Sequence, residues 1–284
     1  MTAISPAQHR NGVNSPGNLP SVASLGLSSS ILELKAFFRN RERVAFTFAL
    51  PVVLQLIFGM IFHGKVAGTN VPYREYFTTG IIAVGIVTTT FANLGTGVAL
   101  ERHDGTLKRL AGTPMPKVAY FIGKAVSGLV VSVLETAILL GTGVALLGLS
   151  VPHSAGRWLT FAWLFVLAVV VCSLAGVALS GVARSAQSAP VVFQFPYLIL
   201  SFISGVYFVF GSLPKAIQDV AAVFPLKWLC QGLRSVFLPD SFARAEPAHS
   251  WQHGEIALVL GLWAVASLVI CVRTFRWQGR DQAR

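Results

Sequence analysis

Charge is what this sequence has least of. Asp, Glu, Lys and Arg together make up 12% of its 284 residues, roughly half the share that a soluble domain carries, while hydrophobic residues make up 54%. A water-soluble fold of this length needs a polar skin, and the residues to make one are missing. Cysteine is scarce too. Cys172, Cys230 and Cys271 have neither the close spacing of a metal site nor an evident disulfide framework, and each reads as an apolar residue. A complete phosphate-binding loop is absent: Gly59, Gly64 and Lys65 have the spacing, but Val66 follows where Ser or Thr must hold magnesium. That run ends an apolar stretch, away from any strand, and no segment between apolar stretches is large enough for a nucleotide-binding domain. Of the scattered histidines only His249 and His253 stand four apart, with no acidic or Cys partner in a ligand frame. No Ser, His and Asp grouping has the setting of a nucleophile elbow. The expectation is a chain that is no enzyme and holds no cofactor or metal.

What is present is apolar sequence in long runs. Stretches near residues 44–62, 77–99, 125–149, 158–180, 190–210 and 255–273 are each about long enough to cross a ~30 Å hydrocarbon core. They show no period-2 alternation and contain Gly and Pro, which favours helices over a barrel. The fold class is an all-α membrane protein with six transmembrane helices. The net charge of +11 is then a topology signal. With the N-terminus inside, fifteen Lys and Arg fall on the inner side and seven on the outer, so both termini are expected in the cytoplasm and nucleic acid is not an expected partner. Residues 1–27, rich in Ser, Pro, Gly and Asn, form neither a signal peptide nor a folded domain and read as a disordered tail. The expected permease domain covers residues 44–275, and 276–284 form a basic tail.

Three segments outside the apolar runs have a pattern. Leu27, Ile31, Leu34 and Phe38 repeat at helical spacing, predicting an amphipathic helix over residues 28–43 with Ser30 and Glu33 as a capping box. Arg39, Arg41 and Arg43 place it at lipid headgroups, as a surface anchor or as a connector that touches a partner. Leu100, Leu107 and Leu110 share one side of a short helix after the second span, with Glu101, Arg102, Asp104, Lys108 and Arg109 elsewhere and Pro114 and Pro116 as its end. The plain alternative there is an ordinary positive-inside loop. On the outer side, Pro214, Pro225 and Pro239 bracket two apolar helices too short to span, which suit re-entrant or interfacial elements anchored by Lys227 and Trp228.

Glu135 is the one acidic residue well inside an expected span. An ionised carboxylate at that depth costs a few kcal/mol, so it should face the bundle interior, a partner or water, or be protonated. It either shapes a substrate path or is a neutral Glu bonded to a helix neighbour such as Thr136 or to a residue across an interface. Phe193, Phe195, Tyr197, Phe202 and Tyr207 in the fifth span either line an apolar path or pack.

The run Glu101 to Pro114, reading ERHDGTLKRLAGTP, closely resembles the inner loop of ABC type-2 exporter permeases, which show Glu-Arg-Glu, Gly-Thr-Leu and Thr-Pro at these places. His103-Asp104 displaces the third acidic site by one position. The likeness extends over nearly the whole chain, through Leu213-Pro214 and Phe224-Pro225-Leu226, and is strongest to the daunorubicin-resistance type. It implies a dimer of permease subunits, identical or paralogous, in a bacterial plasma membrane, seated on cytoplasmic ATPase subunits that bind ATP and Mg. Glu101, Arg102, Asp104, Gly105, Thr106, Leu107, Leu110, Thr113 and Pro114 are the matching positions for ATPase coupling. A hydrophobic or amphipathic drug, lipid or metabolite would cross between the membrane subunits, with Glu135, Phe195 and Tyr197 as candidates for its path. Membrane lipid is the remaining expected partner. An ion-coupled carrier using Glu135, or a non-transporting membrane scaffold, are the rival readings.

Overall fold

A computed structural model describes residues 21–274. The expected tail is reached only at its last residues, and the basic tail 276–284 lies outside the described residues. The elements are α1 (Val22–Arg39), α2 (Arg41–Ile61), α3 (Tyr73–Val87), a π-helical turn (Thr88–Asn93), α4 (Leu94–His103), α5 (Thr106–Ala111), α6 (Lys117–Leu147), α7 (Ala155–Leu179), α8 (Ala189–Ile203), α9 (Lys215–Val223), α10 (Pro225–Phe237) and α11 (His253–Thr274). The described chain is helical, and its one β feature is an isolated bridge between Lys65 and Pro72. Among the described residues five helices are long and apolar enough to cross a membrane: Arg41–Ile61, Tyr73–His103, Lys117–Leu147, Ala155–Leu179 and His253–Thr274.

The central rod runs through α3, the π turn and α4. Every residue of α3 from Tyr76 to Val87 is buried, because α2, α6, α7 and α10 all pack around it. At 31 residues it is ~46 Å long, well beyond a ~30 Å core, so an end must project. The π turn falls where the rod meets α7 most closely. A Cβ on Gly176 of α7 would stand 2.7 Å from the Phe91 carbonyl oxygen, the close approach that small residues permit between membrane helices.

The fifth expected span is shorter than its apolar run. α8 is 15 residues long, and Gly205 at φ 79° turns the chain aside. Hydropathy over 190–210 cannot register that break because the residues after it are apolar as well.

Helix α1 begins at Val22, capped by Ser21, whose Oγ accepts from the Ser24 amide. The expected start at residue 28 and the Ser30–Glu33 capping box are therefore wrong. Ser30 lies mid-helix and donates to the Leu27 carbonyl. The extra turns form because α1 lies along α6, where a Cβ on Gly26 would meet the Ile122 side chain at 2.6 Å. Asn40 breaks the helix and its Oδ1 accepts from the Arg43 amide to start α2, so Arg41 and Arg43 belong to the span helix.

Both short helices expected between the fifth and sixth apolar runs are present, with Pro214 and Pro225 at their starts. Lys227 and Trp228 are not headgroup anchors, however. Both are buried, the Lys227 ammonium lies over the Trp228 ring and donates to Gln231, and Trp228 Nε1 donates to the Ala222 carbonyl. α10 is held between α3, α7 and α11, which covers nearly all of its surface.

Candidate functional site

One ion cluster ties three elements together at the end of the rod. Lys124 Nζ, on the second turn of α6, lies 2.5 Å from Glu33 Oε1 of α1 and also pairs with Glu101 of α4. Tyr120 Oη donates to Glu101 Oε2 at 2.8 Å, and Ser127 Oγ donates to Glu33 at 3.3 Å. Tyr120 and Lys124 share a helix face at i, i+4 spacing. The lysine side chain is 8% exposed and the carboxylates 27% and 28%, so the cation is sealed in while its anions remain hydrated. Beside the cluster lies a cavity of about 140 Å³ bounded by Glu33, Arg43, Asn93, Glu101 and Lys124 that reaches up to Thr89. The sequence reading missed this. Its trace was the stripe Tyr120, Lys124, Ser127 on a helix otherwise made for lipid.

The run Glu101 to Pro114 does not form one surface helix. Glu101, Arg102 and His103 end the long rod and bond within the chain. Arg102 donates to Ser180 Oγ at 3.3 Å, and His103 Nε2 donates to the Ala183 carbonyl at 3.2 Å. Glu101 and Arg102 thus serve their own subunit, contrary to the expectation that both were available to a partner. Gly105, at φ 73°, turns the chain into α5. A Cβ there would have nothing within 4 Å, so the glycine is required by its left-handed backbone and not by a close approach. Leu107 is fully buried and Leu110 half-buried, pinning α5 to the cluster of Leu94, Val98 and Tyr120. Thr106 accepts from Arg109 at 3.1 Å. What remains outward is Asp104, Lys108, Arg109, Thr113 and Pro114, a turn of mixed charge on a fixed base.

Glu135 lies three turns beyond Lys124 on the same face of α6 and is 2% exposed. Its bonding partner is Thr89 on the π turn, a residue across a helix interface and not Thr136, and its other oxygen would lie 2.9 Å from a Cβ on Gly85. The residue therefore joins α6 to the rod inside one subunit. Glu135→Gln is expected to stay within ~1 kcal/mol of the parent. Glu135→Leu, which orphans the Thr89 hydroxyl, is expected to lose about 1–3 kcal/mol. Thermal unfolding in detergent checks this, and a Leu variant as stable as the parent would remove the structural role. In α8, Phe193 is fully buried against Phe91 and Ala99, Tyr197 is half-buried, and Phe195 is 61% exposed.

At the opposite end of the rod, Arg234 of α10 is 1% exposed and faces Glu246, 3% exposed, with Nε 3.2 Å from Oε1. Arg234 also donates to Tyr76 Oη, which in turn accepts from the Phe210 amide at 3.0 Å. His249 and His253 do not make a helical pair. α11 begins at His253. His249 donates to the Arg244 carbonyl, and His253 bonds Ser235.

Long apolar helices around a buried rod, with a rigidly mounted charged turn at one end, define a multi-pass membrane protein. The sequence matches the family described as ABC-2 type transporter over residues 30–238. It is similar to "Inner membrane transport permease YadH" of Escherichia coli (strain K12), 27% identical over 203 residues that cover 68% of this chain and 75% of that one. "Probable multidrug ABC transporter permease YbhR" of the same strain is 26% identical over 178 residues, covering 61% and 46%. "Putative transport permease YvfS" of Bacillus subtilis (strain 168) is 22% identical over 204 residues, covering 69% and 78%. The chain belongs to the ABC-2 type transporter family. It is a transmembrane subunit of an ABC transporter, without an ATPase site of its own, and its partner is a separate ATP-binding subunit.

Proposed function

We propose that this chain is the permease of a bacterial plasma-membrane exporter that works as a dimer on cytoplasmic ATP-binding subunits and moves a hydrophobic or amphipathic compound outward. The observation that carries the reading is the exposed turn Asp104 to Pro114. It joins the rod to α6, and its base is the Lys124 cluster, which also grips α1. A push on α5 is thus delivered to three helices at once, which is what coupling to a soluble motor requires. ATP and Mg would be bound by that motor, and Asp104, Thr106, Lys108, Arg109, Thr113 and Pro114 would face it.

The charge bias supports a cytoplasmic position for the Glu101 end and for both termini. The position of α8 supports a reading of six crossings. Its first residue, Ala189, packs with Ala99 and Ala183 near the Glu101 end, and Val206, just beyond its last turn, lies against Gly80 near the Tyr76 end. Those two levels of the rod are ~28 Å apart, which favours a crossing made by α8 together with the residues after it. The apolar faces of α2 and α8, with Phe46, Leu50, Phe195 and Phe202 exposed, suit a second permease copy and a path between the two. That one similar protein is named as a probable multidrug permease favours an amphipathic cargo.

Lys108→Glu with Arg109→Glu tests this. Both side chains are exposed, so insertion and expression should be unchanged, while co-purification of the cognate ATP-binding subunit should fall about tenfold or more and transport should fall with it. Parental recovery of the ATPase together with parental transport would sink the assignment of α5.

A further inference from the structure

A groove of about 570 Å³ opens between α6, α7 and α11. Its walls are apolar apart from Ser173, Cys271 and two lysines, Lys117 and Lys124. α6 contributes the edge from Val118 to Ala125, α7 the floor from Val170 to Val177, and α11 the far edge from Leu268 to Val272. No residue of α8, which packs on α4 and the π turn, lines it. We propose that this groove is a binding site for one anionic membrane phospholipid, with acyl chain in the groove and phosphate at Lys117 and Arg273.

Length and charge both select that occupant. From Val118 to Ala125 the groove runs ~10 Å along the helix axis, too short to seat a partner helix along its length but well suited to a flexible hydrocarbon chain. The volume lies within the ~300–1,000 Å³ range of small-molecule sites. At the end of the groove nearest the charged turn, Lys117 lines it and Arg273 follows the lining residue Val272. Both are exposed, and neither has an ion pair among the described residues. Lys124 adds no free charge, since Glu33 and Glu101 hold it. Two uncompensated cations at headgroup depth favour a phosphate whose charge is not cancelled by its own headgroup amine, because each basic residue contributes to attraction by anionic lipid. Lys124 forms the wall between the groove and the ion cluster, so the lipid would sit directly behind the clamp on α1.

The site stands on the groove and its mouth and is independent of which compound the transporter moves. The test uses the full chain purified with its ATP-binding subunit in detergent, titrated with dioleoyl phosphatidylglycerol or dioleoyl phosphatidylcholine and read by native mass spectrometry. The parent should retain phosphatidylglycerol in preference to phosphatidylcholine. Ala125→Trp, at an exposed position where the indole fills the groove, should lose the bound lipid. Lys117→Glu should keep acyl binding but cut the preference about fivefold or more, the weight of one basic residue at an anionic surface. Met60→Trp, on the exposed face of α2, should behave as the parent. Equal retention of the two lipids by the parent, or undiminished lipid on Ala125→Trp, would overturn the proposal. Loss of transport without these changes bears on the export reading instead.

Discussion

Glu246→Ala is expected to destabilise the protein by about 3–5 kcal/mol, the penalty for leaving a buried guanidinium without its counter-charge. Arg234 is 1% exposed and Glu246 3% exposed, so water cannot take over the lost partner. Arg234 would be left with Tyr76 Oη, a neutral acceptor already shared with the Phe210 amide. Because the pair ties α10 to the segment before α11, and Arg234 reaches the Tyr76 end of the rod, the damage should begin there, with α9 and α10 becoming accessible to protease first. Glu246→Leu with Arg234→Met removes both charges and should recover most of the loss, since an apolar pair of similar volume needs no solvation. Thermal unfolding in detergent measures both. A single Glu246→Ala variant as stable as the parent would show that the ion pair is idle, and a double variant as weak as the single one would show that packing, not charge, is what the substitution harms.

The second large effect is expected at Lys124. Lys124→Met removes the only cation between Glu33 and Glu101 in the described cluster and leaves two carboxylates facing each other across the gap. Each carboxylate is about a quarter exposed, so solvent screening holds the stability loss to about 2 kcal/mol. The effect on function should be larger. Without the lysine, α1 keeps its packing against α6 and the Ser127–Glu33 hydrogen bond, and motion of α5 no longer reaches it through an ion pair. ATP hydrolysis by the assembled complex should continue while transport per ATP falls severalfold. Adding Glu33→Gln and Glu101→Gln removes the repulsion, and should restore stability but not transport. Restoration of both would reduce the cluster to a fold-stabilising feature, and an unchanged transport ratio in Lys124→Met would remove it from coupling altogether.

How far the sequence alone reaches is clear from particular residues. The apolar runs and the charge bias were legible because lipid imposes a single local rule: a helix long enough to cross, with no unpaired charge. The short helices α9 and α10 were legible because Pro214 and Pro225 mark their starts. Glu33 was misread because a capping box and a long-range ion pair use the same residue, and only the fold decides between them. Glu101 was misread for a similar reason. Its position in ERHDGTLKRLAGTP identifies the family, but its partners Tyr120 and Lys124 stand 19 and 23 residues away. Lys227 and Trp228 have the composition of headgroup anchors, yet the depth of a short helix depends on what packs over it.

Composition and periodicity therefore determined that this is a helical membrane protein, roughly where its spans lie, and which loop carries the family pattern. These properties are summed over neighbouring residues, so one chain is enough to show them. Tertiary structure alone decided that α8 stops at Ile203, that Glu135 pairs with Thr89, that Arg234 meets Glu246, and that Lys124 joins α1, α4 and α6. Each of these depends on two segments distant in sequence reaching the same few ångströms, and no local pattern encodes which buried polar group will find which partner.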